Sequence, residues 1–84
     1  STGAIAASGD LATDNNKSVY YYTTAGDITN MPDVSVNGTV VTIINDSGAP
    51  RNVTDGNVEN QPITITDGGA RQFVYYGGTW YALD

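Results

Sequence analysis

Apolar and aromatic residues in this chain come in short runs, each closed by Gly, Asn, Asp or Pro, which is the pattern of β-strands joined by tight turns. Residues 18–24, carrying Val19-Tyr20-Tyr21-Tyr22, predict a first strand with aromatic side chains on both faces. Asn37-Gly38 is a strong two-residue hairpin signal, and it predicts that Val34-Ser35-Val36 pairs with the run at residues 39–44. Within that run Val41 and Ile43 share one face while Val40 and Ile44 share the other, so a central place in a sheet is expected. Shorter strands are expected at residues 51–54 and 63–66, the second with Ile63 and Ile65 toward the core and both Thr toward water. The chain closes on two aromatic runs around Gly77-Gly78, a hairpin whose turn needs the positive φ that glycine accepts freely. Phe73 and Tyr75 face one way there, and Val74 and Tyr76 the other.

Between these runs lie turns at residues 25–27, 45–50, 55–56 and 67–69, a loop at residues 28–33, and a polar edge strand or loop at residues 57–61. Six to eight short strands about ten residues apart predict an all-β fold, a small antiparallel β-sandwich or jelly-roll-like barrel. Residues 1–16 offer only Ile5 and Leu11 as anchors, and read either as an extended arm packing on a neighbour or as a disordered terminus. Residues 17–84 are then a single β domain. The opening Ser1 carries the expectation of a processed product or a piece of a longer protein. Asp84, directly after the last strand, carries the expectation that the chain ends there.

The chain has 84 residues, and at that size a domain buries only roughly 60 to 65% of its unfolded surface. No Cys is present for a disulfide, and no His or Cys for a structural zinc, so oligomerisation is the remaining common way to stabilise so small a core. The doubly apolar strands point the same way, since one small core does not use both faces. Three basic against nine acidic residues leave a net charge of −6, which repels phosphate backbones and argues against nucleic acid as a partner. No apolar stretch approaches the ~20 residues that a membrane-crossing helix needs, so membrane insertion is not expected.

Chemistry is thinly supplied. Without His or Cys the common nucleophile and base pairs are missing, and the carboxylates Asp27, Asp33, Asp46, Asp55, Asp67 and Glu59 mostly sit in turns, where an Asp side chain usually bonds its own backbone. Asp55-Gly56-Asn57-Val58-Glu59 loosely suggests a cation loop but lacks EF-hand spacing, and the same residues make an ordinary polar turn. Sequons at Asn37, Asn45 and Asn52 mark surface turns. No catalytic residue, cofactor or metal is expected. The informative set is Tyr20, Tyr21, Tyr22, Tyr75, Tyr76, Trp80 and Tyr81, which can serve as core, as subunit interface or as a platform for sugar rings. Tyr20, Tyr22, Tyr76 and Trp80 are the candidate oligomer interface.

The run Thr39-Val40-Val41-Thr42-Ile43-Ile44-Asn45-Asp46-Ser47-Gly48, then Val53-Thr54, Ile63-Thr64-Ile65, Gly69-Ala70-Arg71-Gln72-Phe73-Val74-Tyr75 and Gly77-Gly78-Thr79-Trp80-Tyr81, resembles a C-terminal module of tailed-bacteriophage fibre and other virion appendage proteins. The resemblance covers about half the chain, residues 39–83, and residues 19–33 are similar to a segment that often precedes the module in fibre tips. It implies a homotrimer in the virion, contact with other virion proteins and, for tip domains, attachment to a host-surface glycan or protein. Head fibre and capsid decoration are equally open to it, and it transfers no binding residues. Recognition commonly lies in loops held on a rigid sheet. Residues 28–33, 46–50 and 55–60 are therefore the candidate receptor loops, with Asn30, Asp33, Asp46, Arg51, Asp55, Asn57 and Glu59 as their contact residues. The alternative is a carbohydrate-binding module of a secreted enzyme, monomeric with an exposed aromatic platform, and a cell-surface adhesin or pilus domain is a third reading.

Overall fold

Short β-rich segments and abundant turn residues leave this chain little choice but sheets, and the computed structural model, which describes residues 3–83, contains two. Ser1, Thr2 and Asp84, at the limits of the expected arm and domain, lie outside the described residues. The strands are β1 (Gly3–Ala6), β2 (Val19–Tyr22), β3 (Val40–Asn45), β4 (Arg51–Val53), β5 (Ile63–Ile65), β6 (Ala70–Tyr76) and β7 (Thr79–Leu83). The larger sheet has the order β1-β2-β3-β6-β7, and β4 pairs with β5 in a second, two-stranded sheet. The fold is all-β, as the residue pattern predicts.

Strand direction is where sequence and structure part. β3-β6, β6-β7 and β4-β5 are antiparallel, whereas β1-β2 and β2-β3 are parallel. A parallel pair needs a long crossover, and residues 7–18 and 23–39 supply it. Each crossover drops apolar side chains into the core: Leu11 sits on a 3-10 turn (Leu11–Thr13) whose N-cap Asp10 accepts from the Ala12 N–H at 3.0 Å, and the second crossover contributes Ile28 and Met31. Gly9 makes the first crossover fit, because a Cβ there would run into the carbonyl oxygen of Asp27. The segment read as an arm is thus an edge strand and a buried plug of the same domain.

The Asn37-Gly38 hairpin does not form. Gly38 does turn, at φ 90°, but residues 34–36 are not a strand, because β3 already has β2 on one edge and β6 on the other. The turn instead docks on the closing hairpin: the Gly38 N–H donates to the Tyr75 carbonyl at 2.7 Å, and the Asn37 side-chain oxygen accepts from the Gly77 N–H at 2.8 Å. The closing hairpin forms as expected, with Tyr76 opposite Thr79 and both turn glycines at positive φ.

The core lies on the inner face of the larger sheet. Tyr20 and Tyr22, Val41 and Ile43, Phe73, and Trp80 point inward, and the smaller sheet closes over them with Val53 and Ile65. Among the described residues Asn45 is the one fully buried polar side chain outside the aromatic set, and its amide bonds the chain on both sides of the gap between the sheets.

Candidate functional site

Period-2 alternation decides where each aromatic residue ends up. Tyr20, Tyr22 and Trp80 fall on inward positions and are 1%, 0% and 3% exposed, so these three belong to the chain's own core and not to a subunit interface. The two tyrosine hydroxyls are satisfied internally, Tyr20 donating to the Asp14 carbonyl and Tyr22 to the Gly26 carbonyl, each at 2.8 Å. Of the four expected interface residues only Tyr76 is exposed. The outward positions carry the exposed apolar side chains instead. Reading across the strand register, Ile5, Tyr21 and Ile44 form one row, Val19, Thr42, Gln72 and Leu83 a second, and Val40, Val74 and Tyr81 a third, with Tyr76 beyond. Among these residues none is charged, and Ile5, Tyr21, Val40, Tyr76, Tyr81 and Leu83 are exposed. A shallow groove along residues 33–40 adds exposed Val36 beside Val40 at the rim.

On the inner side, two of the three expected receptor loops converge. Residues 28–31 are held by the Ile28 N–H donating to the Asn52 carbonyl and the Thr54 N–H to the Ile28 carbonyl, both at 2.9 Å, and by the Met31 N–H donating to the Asp55 carboxylate at 2.8 Å. Residues 57–59 pair with β7, the Trp80 N–H donating to the Asn57 carbonyl at 2.8 Å and the Glu59 N–H to the Trp80 carbonyl at 2.9 Å. Between them opens a polar cleft of about 380 Å³ whose walls include Asn30, Asp33, Asp55, Asn57, Tyr75 and Trp80. The Tyr75 and Trp80 rings meet edge to face, their centroids 5.3 Å apart. Asp10 also lines the cleft, brought there by its bridge to Asn30. Nothing in the sequence signals Asp10, because its place depends on the parallel crossover.

The third loop is elsewhere. Asp46 lies at the opposite end of β3 from the cleft and accepts the Tyr21 hydroxyl at 2.6 Å. Arg51 turns inward, its Nε donating to the Ser47 hydroxyl at 2.7 Å. Glu59 is exposed and does not line the cleft. The expected contact set therefore divides, with Asn30, Asp33, Asp55 and Asn57 together and Asp46, Arg51 and Glu59 apart. Among the described residues no three His, Cys, Asp or Glu side chains are grouped so as to hold a metal ion.

Three phenols are perturbed, all upward. The hydrogen bond to Asp46, then that carboxylate's charge, raises Tyr21, while burial is the main cause for Tyr20 and Tyr22. Each shift favours the neutral phenol in the folded chain. The associated stability is complete below the ordinary value of 10.0 and is lost as pH rises through the raised values. Asp46→Asn should return one phenol toward that ordinary value in a tyrosinate absorbance titration and leave the two buried ones unmoved. An unchanged titration curve would mean that the Tyr21–Asp46 bond does not persist in solution.

No protein-family model and no curated protein matches the chain. Its fold is similar to part of a chain in a solved structure of a chaperone-substrate complex, with a TM-score of 0.66 at 14% sequence identity. The match covers 98% of this chain and 18% of that chain, so this fold recurs there as a small segment of a much longer polypeptide.

Proposed function

We propose that this chain is a structural and binding module of a phage fibre or related virion appendage, a homotrimer that packs through the outer face of its larger sheet and attaches the particle to other virion proteins or to the host surface. The observation that carries the proposal is the largely apolar outer face of β1, β2, β3, β6 and β7, broken by the Thr42–Gln72 pair in its middle row. The core is already complete on the inner side, so this second apolar face is not needed for folding a monomer. An acidic chain whose outward strand positions on one sheet carry no charge, with the Asp46 carboxylate held at the end of that face by the Tyr21 hydroxyl, has a surface suited to its own copies. The resemblance of residues 39–83 to fibre modules supplies the trimeric state and the virion setting. Recurrence of the fold as a small part of a longer polypeptide suits a module.

Multi-angle light scattering on the purified chain tests this reading, with a trimer as the expected result and a monomer at all concentrations as the result that overturns it. A monomer would favour the carbohydrate-binding alternative, for which the exposed Tyr21, Tyr76 and Tyr81 on one flat face would be the platform. Neither reading includes a catalytic step.

A further inference from the structure

Trp80 is 3% exposed, yet its indole N–H has no acceptor in the described chain, and no side-chain polar atom there is both sealed from solvent and unpaired. The N–H is therefore open to solvent, and Trp80 lines the polar cleft between residues 30–34 and 55–57. A tryptophan this deeply packed usually spends its N–H on a partner. The Tyr75 hydroxyl, the Asn30 and Asn57 amides and the Asp33 carboxylate, on the same walls, also bond no other side chain or backbone group. Each Asp55 carboxylate oxygen accepts one backbone N–H, Oδ2 from Met31 and Oδ1 from Asn57, and keeps a further lone pair to accept with. The cleft thus presents unspent donors and acceptors side by side around the edge of an aromatic pair.

We propose that this cleft binds a neutral saccharide unit, which deepens the fibre reading and rests on it for the biological source of the sugar. A sugar hydroxyl both donates and accepts, so adjacent hydroxyls can give to Asp33 and Asp55 while taking from the Trp80 N–H and the Asn57 amide. Asp10, Asp33 and Asp55 place like charge against any carboxylated or phosphorylated sugar, which selects neutral rings. At about 380 Å³ the cleft lies in the ~300–1,000 Å³ range of small-molecule sites.

The chain has a single Trp, so one indole resonance reports the site directly. Titration of the isotope-labelled full chain with glucose, galactose and N-acetylglucosamine should move the Trp80 indole and the Asn57 side-chain amide signals saturably for at least one sugar. Glucuronic acid and sialic acid should bind more weakly. Trp80→Phe, which keeps the ring and removes the donor, should weaken binding about fivefold, the worth of one hydrogen bond. Asn57→Ala, at an exposed position, should do likewise and keeps the test sound if the core variant folds poorly. Silence with every neutral sugar, stronger binding of the charged sugars, or full affinity in both variants would overturn the proposal. Light scattering on the same samples separates the two readings: a trimer that binds no sugar overturns only the cleft, and a sugar-binding monomer upholds the cleft and overturns the assembly.

Discussion

Val40→Glu combined with Tyr81→Glu is expected to convert the proposed trimer to monomers while leaving the sheet folded. Both residues are exposed on the outer face, 39% and 43%, and they flank Val74 in one row across β3, β6 and β7. In a free chain each carboxylate would point into water at little cost. In an assembly each would enter an apolar contact without a partner, a penalty of several kcal/mol for every copy. Equilibrium sedimentation should show the trimer mass lost, with an unchanged far-ultraviolet circular dichroism spectrum. Thermal unfolding should also lose its concentration dependence, since association no longer stabilises the fold. Asn57→Glu, on the cleft side, should leave the trimer intact. Three copies of a chain with net charge −6 repel one another, so added salt should raise the trimer fraction of the wild type. A trimer that survives both outer-face charges would place the interface elsewhere on the molecule.

The second large effect is expected at Asn45. Its Nδ2 donates to the carbonyls of Ala49 and Ile65 at 2.9 Å and of Thr66 at 3.2 Å, while its Oδ1 accepts from the Ser47 N–H at 3.1 Å and the Ser47 hydroxyl at 2.6 Å. One buried amide therefore ties the end of β3 to the following turn and to the end of β5 in the smaller sheet. Asn45→Ala should cost about 2–4 kcal/mol in denaturant unfolding, because buried carbonyls lose their donors. Asn45→Asp should cost more at neutral pH despite its matching shape, since it replaces the donor with a carboxylate facing three carbonyl oxygens. Part of that extra loss should return on acidification, when the carboxyl regains a proton to donate. If the Asp variant were no worse than the Ala variant, the three carbonyls would not depend on the Asn45 donor.

How far the fold was legible depended on how local its causes are. The hairpin at Gly77-Gly78 could be read because two adjacent glycines at positive φ are all that its turn requires. Asn37-Gly38 carries an equally strong local signal and yet closes no hairpin. Its second arm had two other partners, and competition for the edges of β3 lies beyond any window of sequence. β1 was missed for a related reason. Gly3–Ala6 has little strand propensity of its own and is a strand through pairing in register with β2. For the cleft, loop composition picked out Asn30, Asp33, Asp55 and Asn57 but grouped them with Asp46, Arg51 and Glu59. Only the bridge from residue 28 to residue 53 and that from residue 58 to residue 80 show which of these share a wall.

By itself the sequence determined the class of element and the presence of more apolar surface than one small core can use. Turn residues and period-2 alternation act over a few positions and survive any arrangement of the strands. Tertiary structure decided which face of each strand became the core. Alternation makes two faces equivalent until a neighbour covers one, and here the crossovers carrying Leu11, Ile28 and Met31 and the smaller sheet covered the face of Tyr20, Tyr22 and Trp80. That choice turned three expected interface aromatics into core, left Tyr76 and Tyr81 outside, and brought an unpaired indole N–H to the wall of a polar cleft.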